Sequence, residues 1–313
     1  MTTAERAEAF APAKVNLALH VTGQRADGYH LLDSLVMFAN LGDRVSACLA
    51  DQLRLSVTGP LAEGVPTGPE NLVLKASVWA GQSADFELEK NLPAAAGIGG
   101  GSSDAAAALR VLEALTGQSV DVGRLAELGA DVPVCYFGRA CQMAGVGEQI
   151  EAVDLPRVAA VLANPRVEVE TPHVFGKLAA KNNAPLPELP PLRSASDLIE
   201  FLREQTRNDL EPPALALAPV VGEVLDRLWG LEGARLARMS GSGATCFALF
   251  DEIGAAETAA AALSAQRPDW WVSAVWLSCE NSRAPLATLF LNVTFRVQRG
   301  FGLCPSSSSS ISS

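Results

Sequence analysis

The sequence feature that most constrains this chain is a glycine-rich segment that directly precedes a helical pattern. Residues 97–101 contain four glycines, Ser102 and Ser103 follow, and leucines then recur at helical spacing up to Leu115. Glycine lets backbone N–H groups turn toward an anion, and a helix N-terminus adds unpaired donors and a partial positive charge. The two serines can cap the helix and donate their hydroxyl groups. The segment therefore predicts a phosphate-binding loop, the alternative being a flexible loop before an ordinary helix cap.

Three familiar nucleotide-binding motifs do not fit this segment. A P-loop ends in Gly-Lys-Ser/Thr, whereas Gly101 is followed by two serines. In the dinucleotide fingerprint the third glycine would fall on Ser102, and no suitable acidic residue follows about 20 positions later after a second strand. The His-Arg-Asp and Asp-Phe-Gly signatures of protein kinases are also missing from the sequence. The loop therefore belongs to another class of phosphate-binding protein.

The composition indicates a globular, acidic protein with no general attraction for polyanions. The 313 residues are 49% hydrophobic and 19% charged, and 35 acidic against 24 basic residues give a net charge of −11. We expect no binding to nucleic acid or to an anionic membrane, because no global positive field would attract them. The N-terminus is acidic and unlike a signal peptide, and no apolar run reaches the ~18 residues of a membrane span. A cytoplasmic protein is expected.

The cysteines and histidines predict neither a zinc site nor a disulfide framework. The six cysteines include no Cys-x-x-Cys pair, the closest pair being Cys135 and Cys141, and the whole chain has three histidines. Metal sites of zinc-finger type need closely spaced ligands, and a chain of this size can bury a core without disulfides. We expect reduced cysteines in the core.

The hydrophobic patterns predict an α+β chain with a β-rich start. We expect strands over residues 11–22, 32–39, 44–56, 86–90, 158–164, 236–239, 245–250 and 271–277. We expect helices over residues 71–79, 102–115, 122–128, 196–204, 218–229 and 255–266. A turn is expected at Asp27-Gly28 and another break at residues 41–43.

A change of composition near residue 156 predicts a domain boundary. The expected domains cover residues 1–155 and 156–278. Residues 279–313 differ from the rest and end in seven serines between residues 306 and 313, which predicts a disordered low-complexity tail. Within this tail, the apolar residues 286–295 offer a possible strand.

Three separated motifs resemble, in order, those of the GHMP kinases that phosphorylate 4-diphosphocytidyl-2-C-methyl-D-erythritol. The first is Pro-Ala-Lys-Val-Asn-Leu at residues 12–17, which continues to Gly-Tyr-His at 28–30. The second is the glycine loop at 93–105, and the third is Ser-Gly-Ser-Gly at 240–243. An Ala-Asp-Val-Pro segment at 130–133 lies between them. The resemblance covers roughly residues 10–278, and Gly-Tyr-His makes it more specific than the superfamily.

This resemblance implies a fold, a reaction and a set of ligands. The fold is the two-domain GHMP kinase fold, with a ribosomal-S5-like N-terminal β/α domain that carries the ATP-binding glycine loop and a ferredoxin-like C-terminal α/β sandwich. The reaction is the ATP-dependent phosphorylation of the 2-hydroxyl of diphosphocytidyl methylerythritol, in the non-mevalonate route to isoprenoids. ATP and Mg²⁺ are the implied cofactors, and a monomer or weak homodimer is the implied assembly.

The resemblance also assigns residues to the site. Asp131 would deprotonate or orient the substrate hydroxyl, with Lys14 as its charge partner at the transferred phosphate. The nucleotide would contact Lys90, close to the adenine, and the loop residues Pro93, Ala94, Ala95, Ala96, Gly97, Ile98, Gly99, Gly100, Gly101, Ser102 and Ser103. The substrate would contact a cytidine pocket of Asn16, Tyr29, His30 and Phe175, and a second glycine turn of Gly241, Ser242 and Gly243.

Two features of the chain differ from the pattern expected of the family. Alanines at 94–96 stand where family members often place glycine or polar residues. No tight carboxylate cluster is evident for Mg²⁺, which would then rest mainly on ATP oxygens and water, with Ser103 or Asp131 nearby. No dedicated metal ligand is therefore predicted.

Other functions remain open at this stage. One is a kinase of the same fold that acts on another small alcohol, such as homoserine or mevalonate. Another is a catalytically inactive binding module, against which the intact Lys14 and Asp131 argue. A dinucleotide-dependent oxidoreductase comes last because its fingerprint fails.

Overall fold

The computed structural model describes residues 5–94 and 96–279. Ala95, the predicted serine-rich tail from residue 280 onward and its apolar segment 286–295 lie outside these residues. The described strands are β1 (Arg6–Gln24), β2 (His30–Leu49), β3 (Arg54–Thr58), β4 (Ala84–Glu89), β5 (Cys141–Gly145), β6 (Gln149–Ala152), β7 (Val158–Asn164), β8 (Leu236–Met239), β9 (Cys246–Phe250) and β10 (Trp271–Ser278). The described helices are α1 (Leu72–Trp79), α2 (Gly100–Thr116), α3 (Val132–Phe137), α4 (Thr171–Gly176), α5 (Ala195–Gln205), α6 (Glu211–Leu217), α7 (Val220–Trp229) and α8 (Ile253–Gln266), with a 3-10 helix at Val122–Glu127.

The strands of the described residues form a single sheet centred on β2. Its main path runs β3-β4-β2-β10-β7-β9-β8, while β1 and β5 also pair with β2, and β6 pairs with β5. The junction between β2 and β10 is short and antiparallel, with Leu277 opposite Ala39. Strands from both sides of the predicted boundary at residue 156 thus share one sheet, and the division into two domains stays a prediction.

The β1–β2 hairpin differs from the prediction at residues 41–43. These residues do not form a turn, and β2 continues through them to Leu49. A Cβ atom on Gly42 would lie 2.2 Å from the carbonyl oxygen of Ala11, so the glycine allows the two strands to approach closely. The register shifts next to this contact, between Pro12 and Lys14. The hairpin turn at residues 27–28, in contrast, is confirmed.

Helix α2 is the main helix against the first half of the sheet. It contains the helix predicted over 102–115 but begins two residues earlier and ends one residue later, at Thr116, and Gly117 follows in the left-handed conformation. Four consecutive alanines, residues 105–108, are fully buried and lie within two hydrophobic clusters of the core. Small side chains let the helix approach its neighbours closely, and this places its N-terminus beside β1.

The short elements are the ones that the sequence patterns missed. Helix α3 has six residues and begins directly after Asp131, and α6 opens with two prolines in its first turn. Both are too short for a helical period of apolar residues to become evident. The helix predicted over 122–128 is a 3-10 helix. Strands β5 and β6 were also missed, whereas the strand predicted over 158–164 is confirmed.

Two expectations from composition can be compared with the described residues. Within them, none of the helices combines the length and the apolar character that a membrane span requires. Cys48, Cys135, Cys141 and Cys246 are free thiols, and three of these four are buried. The reduced state of the cysteines stays a prediction.

Candidate active site

Lys14 and Asp131 form an ion pair in which one partner is buried and the other is open. Lys14 lies on β1, Asp131 precedes the first turn of α3, and the Lys14 Nζ donates to Asp131 Oδ2 at 2.9 Å. The lysine side chain is 4% exposed, whereas 36% of the aspartate side chain is exposed. Burial disfavours the ammonium form, but the Asp131 carboxylate outweighs it and raises the pKa of Lys14. Lys14 therefore remains charged at neutral pH.

The glycine loop packs directly on Lys14. The Lys14 backbone N–H donates to the Ile98 carbonyl at 2.9 Å, which fixes the loop to β1. Gly99 adopts a φ of +65°, and a Cβ atom there would lie 3.2 Å from Lys14 Cε and 3.5 Å from Cys135 Sγ. Gly99 thus lies in the space between the catalytic-lysine candidate and the α3 helix, and a larger residue would displace Lys14.

The predicted phosphate donors lie at the start of α2. Gly99 is the residue before the helix, so Gly100, Gly101 and Ser102 carry N–H groups that the helix itself does not satisfy. Gly101 is exposed and Gly100 and Ser102 are half-buried, which leaves this end of the helix accessible. Ser103 is fully buried and its hydroxyl donates to the Pro12 carbonyl at 2.8 Å. The Ser103 hydroxyl proton is thus engaged by β1.

The second glycine turn lies back to back with the first. A Cβ atom on Gly97 would lie 2.5 Å from the Gly243 carbonyl oxygen, so the two backbones are in direct contact. The Ser240 hydroxyl donates to the Gly97 carbonyl at 3.1 Å and accepts from the Asn16 N–H at 3.1 Å. Ser240 thereby joins both turns to β1. The Ser242 and Thr171 hydroxyl groups also lie 2.7 Å apart, which connects this turn to α4.

The four predicted cytidine-pocket residues lie in three places. The His30 and Phe175 rings stack with centroids 4.8 Å apart, and His30 Nε2 is buried with no hydrogen-bond partner among the described residues. Asn16 lies instead at the second glycine turn, with its Oδ1 3.3 Å from the position of a Cβ on Gly241. Tyr29 is 64% exposed at the end of the β1–β2 hairpin. His30 Nε2 and Asn16 Oδ1 are thus both buried polar atoms without a hydrogen-bond partner among the described residues.

Lys90 is held inside the protein. Its Nζ donates to Asp43 Oδ2 at 2.5 Å and to Asp104 Oδ2 at 2.9 Å, and the residue is 3% exposed. The contact of Lys90 with adenine stays a prediction, but its ammonium group is committed to two carboxylates. Of the loop alanines predicted to meet the nucleotide, Ala94 is exposed and Ala96 is buried.

Known proteins are similar to this chain over most of its length. Residues 70–145 match the GHMP kinases N terminal domain, and residues 186–269 match the GHMP kinases C terminal domain. The 4-diphosphocytidyl-2-C-methyl-D-erythritol kinase of Dinoroseobacter shibae is 56% identical over 268 residues, which cover 84% of this chain and 92% of that protein. The chain belongs to the 4-diphosphocytidyl-2-C-methyl-D-erythritol kinase family.

Further relatives and solved structures agree with this family. The enzyme of the same name from Roseobacter denitrificans is 50% identical over 286 residues, 88% of this chain and 95% of that protein. A crystal structure of 4-(cytidine 5'-diphospho)-2C-methyl-D-erythritol kinase superposes with a TM-score of 0.72 at 37% identity, covering 87% of this chain and 99% of that one. Homoserine kinase from Cytophaga hutchinsonii shares the fold, with a TM-score of 0.60 at 19% identity, 90% of this chain and 98% of that one. The predicted α+β GHMP kinase fold is confirmed.

Several residues of this kinase-family site were not predicted from the sequence. Ser240 was quoted as part of a motif, but nothing in the pattern indicated that it joins the two glycine turns. Asp43 and Asp104 were missed. Asp104 directly precedes the apolar run that starts at Ala105, which is a signal of burial with a partner, whereas Asp43 lies between Gly42 and Arg44 and gives no such signal. The individual ligand contacts of the predicted site residues stay predictions.

Proposed function

We propose that this kinase-family protein transfers the γ-phosphoryl group of ATP to the 2-hydroxyl of 4-diphosphocytidyl-2-C-methyl-D-erythritol, in the methylerythritol phosphate route to isoprenoid precursors. The observation that carries the proposal is the Lys14–Asp131 ion pair, 2.9 Å long, packed against Gly99 of the phosphate loop. The names and the high identity of the relatives support the choice of substrate.

In this proposal Asp131 acts on the substrate hydroxyl, and Lys14 offsets the negative charge of the carboxylate and of the transferred phosphate. The exposed part of the Asp131 carboxylate accepts the hydroxyl proton as the phosphoryl group transfers, or aims the oxygen lone pair toward phosphorus. The Lys14 ammonium holds that carboxylate in place and offsets negative charge on the transferred phosphate. Because Lys14 is buried and paired, it is ready in its charged form before substrate binds.

The loop and the start of α2 hold the nucleotide phosphates. The unsatisfied N–H groups at the start of α2 offer donors to the phosphates, although the protein as a whole carries a net charge of −11. The absence of a side chain at Gly99 keeps Lys14 in place beside these donors. The phosphates and the acceptor hydroxyl are thereby brought to the same end of α2.

Mg²⁺ fits this site as a companion of ATP. Among the described residues, no group of three or more His, Cys, Asp or Glu side chains is arranged to hold a metal ion. Mg²⁺ needs no such group, because it keeps several waters and binds through substrate phosphates with one or two protein oxygens. Of the two residues expected near the ion, the partly exposed Asp131 carboxylate would be such a ligand, whereas the Ser103 hydroxyl is fully buried on the Pro12 carbonyl. The ion would neutralise charge on the phosphate oxygens.

The aromatic pair accounts for the base of the substrate. His30 and Phe175 offer stacked rings and one unsatisfied ring nitrogen, a combination that suits a pyrimidine with polar edges. Asn16 and the turn at residues 241–243 offer polar groups for the substrate diphosphate. Homoserine and mevalonate carry no base, so a pocket of this kind would be of no use to them.

An ATP-consumption assay tests the proposed function. The purified protein is given ATP and Mg²⁺ with diphosphocytidyl methylerythritol, homoserine or mevalonate in parallel. We expect turnover with the first alcohol alone, and protection of the protein from thermal unfolding by cytidine nucleotides. Equal turnover with homoserine or mevalonate, or none with the diphosphocytidyl alcohol, would contradict the proposal.

A further inference from the structure

A buried cluster of one ammonium and two carboxylate groups lies beside the phosphate loop. Lys90 directly follows β4, Asp43 lies on β2 and Asp104 lies in α2. The Lys90 Nζ lies 2.5 Å from Asp43 Oδ2 and 2.9 Å from Asp104 Oδ2, and the three side chains are 4%, 0% and 5% exposed. Three charged side chains this deeply buried need a reason, because desolvation of each is costly.

The two carboxylates are not equivalent. Asp43 Oδ1 accepts backbone N–H groups from Asn91 at 2.5 Å and Leu92 at 2.9 Å, so Asp43 has three donors with Lys90 included. Asp104 receives Lys90 alone, and its Oδ1 has no partner among the described residues. Burial raises the pKa of Asp104 to about 8 against the opposing charge of Lys90, and Asp43 adds to the increase. The two carboxylates thus differ in their hydrogen bonds, since Asp43 is held by both the backbone and Lys90, whereas Asp104 is held by Lys90 alone.

This cluster holds both ends of the phosphate loop. The loop starts at Pro93, directly after the Leu92 N–H that Asp43 binds, and it ends in the helix turn that contains Asp104. A Cβ atom on Gly100 would lie 3.8 Å from Lys90 Nζ, so the ammonium also lies beneath the first residue of α2. The two ends of the loop are therefore both held, directly or through Lys90, by the buried Asp43 carboxylate on β2.

We propose that Lys90 serves ATP binding as a positioning residue, by tying Asp104 of α2 to Asp43 of β2 and so fixing the phosphate loop between them. This inference rests on the proposed kinase function, but it differs from a contact between Lys90 and the adenine. A base contact would require the ammonium to leave two buried carboxylates, and an unpaired buried carboxylate is strongly unfavourable.

Binding of nucleotide analogues separates the two roles of Lys90. Calorimetry measures the Kd of adenylyl imidodiphosphate and guanylyl imidodiphosphate for wild type and for Lys90→Met, with Lys75→Met on the exposed face of α1 as the matched control. A positioning residue acts on the phosphates, which both analogues share. We therefore expect Lys90→Met to weaken both analogues by the same factor, about 10- to 100-fold, and Lys75→Met to change neither.

The variant Asp43→Asn and the double variant with Lys90→Met complete the experiment. The double variant removes the Lys90 ammonium and the Asp43 carboxylate together and leaves only Asp104 of the cluster, so it keeps the test open if Lys90→Met alone does not fold. We expect it to bind no more weakly than the single variants, because all three break the same tie. We also expect amide hydrogen exchange to increase locally at residues 96–103, whereas a purely structural loss of stability would increase it throughout the protein.

Two results would overturn the proposal. One is a loss of affinity for the adenine analogue that exceeds the loss for the guanine analogue by about tenfold, which indicates a base contact. The other is a Kd in the double variant that is raised by the product of the factors measured for Lys90→Met and Asp43→Asn. Because analogue binding is measured without phosphoryl transfer, these outcomes are independent of whether the diphosphocytidyl alcohol is the substrate.

Discussion

The Ser240 hydroxyl donates to the Gly97 carbonyl oxygen at 3.1 Å, and by this bond the second glycine turn supports the first. The Ser240 hydroxyl oxygen also accepts the Asn16 N–H, so one fully buried hydroxyl links strand β1, the phosphate loop and the turn at residues 241–243. The two turns are 143 residues apart in sequence. The two turns predicted to bind nucleotide and substrate are thus connected through one side chain.

Replacement of Ser240 by alanine should loosen both glycine turns. The Asn16 N–H and the Gly97 carbonyl would lose their partner inside the protein, which costs about 1–3 kcal/mol of unfolding free energy. We expect the KM for ATP and the KM for the diphosphocytidyl substrate to rise together. Urea unfolding and steady-state kinetics measure this, with Thr258→Ala on the exposed face of α8 as the control. A change in only one of the two KM values would contradict the link.

Gly99→Ala should impair catalysis much more than Gly117→Ala. Both glycines flank α2 with φ angles of +65° and +69°, so the backbone strain of the new side chain is similar and amounts to about 1 kcal/mol. A Cβ atom on Gly99 would meet Lys14 at 3.2 Å, whereas one on Gly117 would meet nothing within 4 Å. Turnover and thermal unfolding of the two variants compare the effects, and equal losses of turnover would refute the role of Gly99 in placing Lys14.

Asp131→Asn and Lys14→Ala should each reduce the turnover number by about 10²–10⁴-fold, because they remove a positioned proton acceptor or its charge partner. The two residues act as a unit, so the double variant should be much less impaired than the product of the single effects. Steady-state kinetics of the three variants test this. Retention of more than about a tenth of wild-type turnover by Asp131→Asn would remove the catalytic role from that residue.

His20 should make the protein less stable in mild acid. It is fully buried, its Nδ1 lies 3.0 Å from the Ala184 carbonyl and its Nε2 accepts the Arg207 N–H. Burial lowers the pKa of His20, and the nearby Arg207 charge lowers it further, against the opposing effects of the Ala184 carbonyl and Asp209. The unfolded chain therefore binds more protons than the folded one below the ordinary histidine pKa.

The contribution of His20 to the free energy of unfolding is thus fully present when the pH is above about 6.5, the pKa of histidine in the unfolded chain. It decreases as the pH falls below that value, by at most about 1.4 kcal/mol per pH unit. Urea unfolding at several pH values measures this slope. We expect His20→Gln to flatten it, and His173→Gln, on a side chain that is 69% exposed, to leave it unchanged. An identical slope in wild type and His20→Gln would show that other groups are responsible.

The sequence patterns predicted the elements whose stability is local. Helix α2 was predicted because it is 17 residues long, has apolar residues at helical spacing and ends at a glycine. Helix α3, with six residues, was not predicted, because its formation depends on the contacts that it makes with α2 and β1. The break expected at residues 41–43 was also wrong, since β2 continues through Gly42, where it closely approaches the neighbouring strand β1.

By itself the sequence determined the class of the protein, because the glycine loop, the start of the helix after it and the motif that contains Lys14 are each short contiguous segments. Lys14 and Asp131 were named from such motifs, and the tertiary structure brought them together across 117 residues. Only the tertiary structure decided that Lys90 faces Asp43 and Asp104, and that Ser240 supports Gly97. These contacts join segments that are distant in the chain, and burial makes their hydrogen bonds and charges count, whereas a sequence pattern records neither distance in space nor exposure to water.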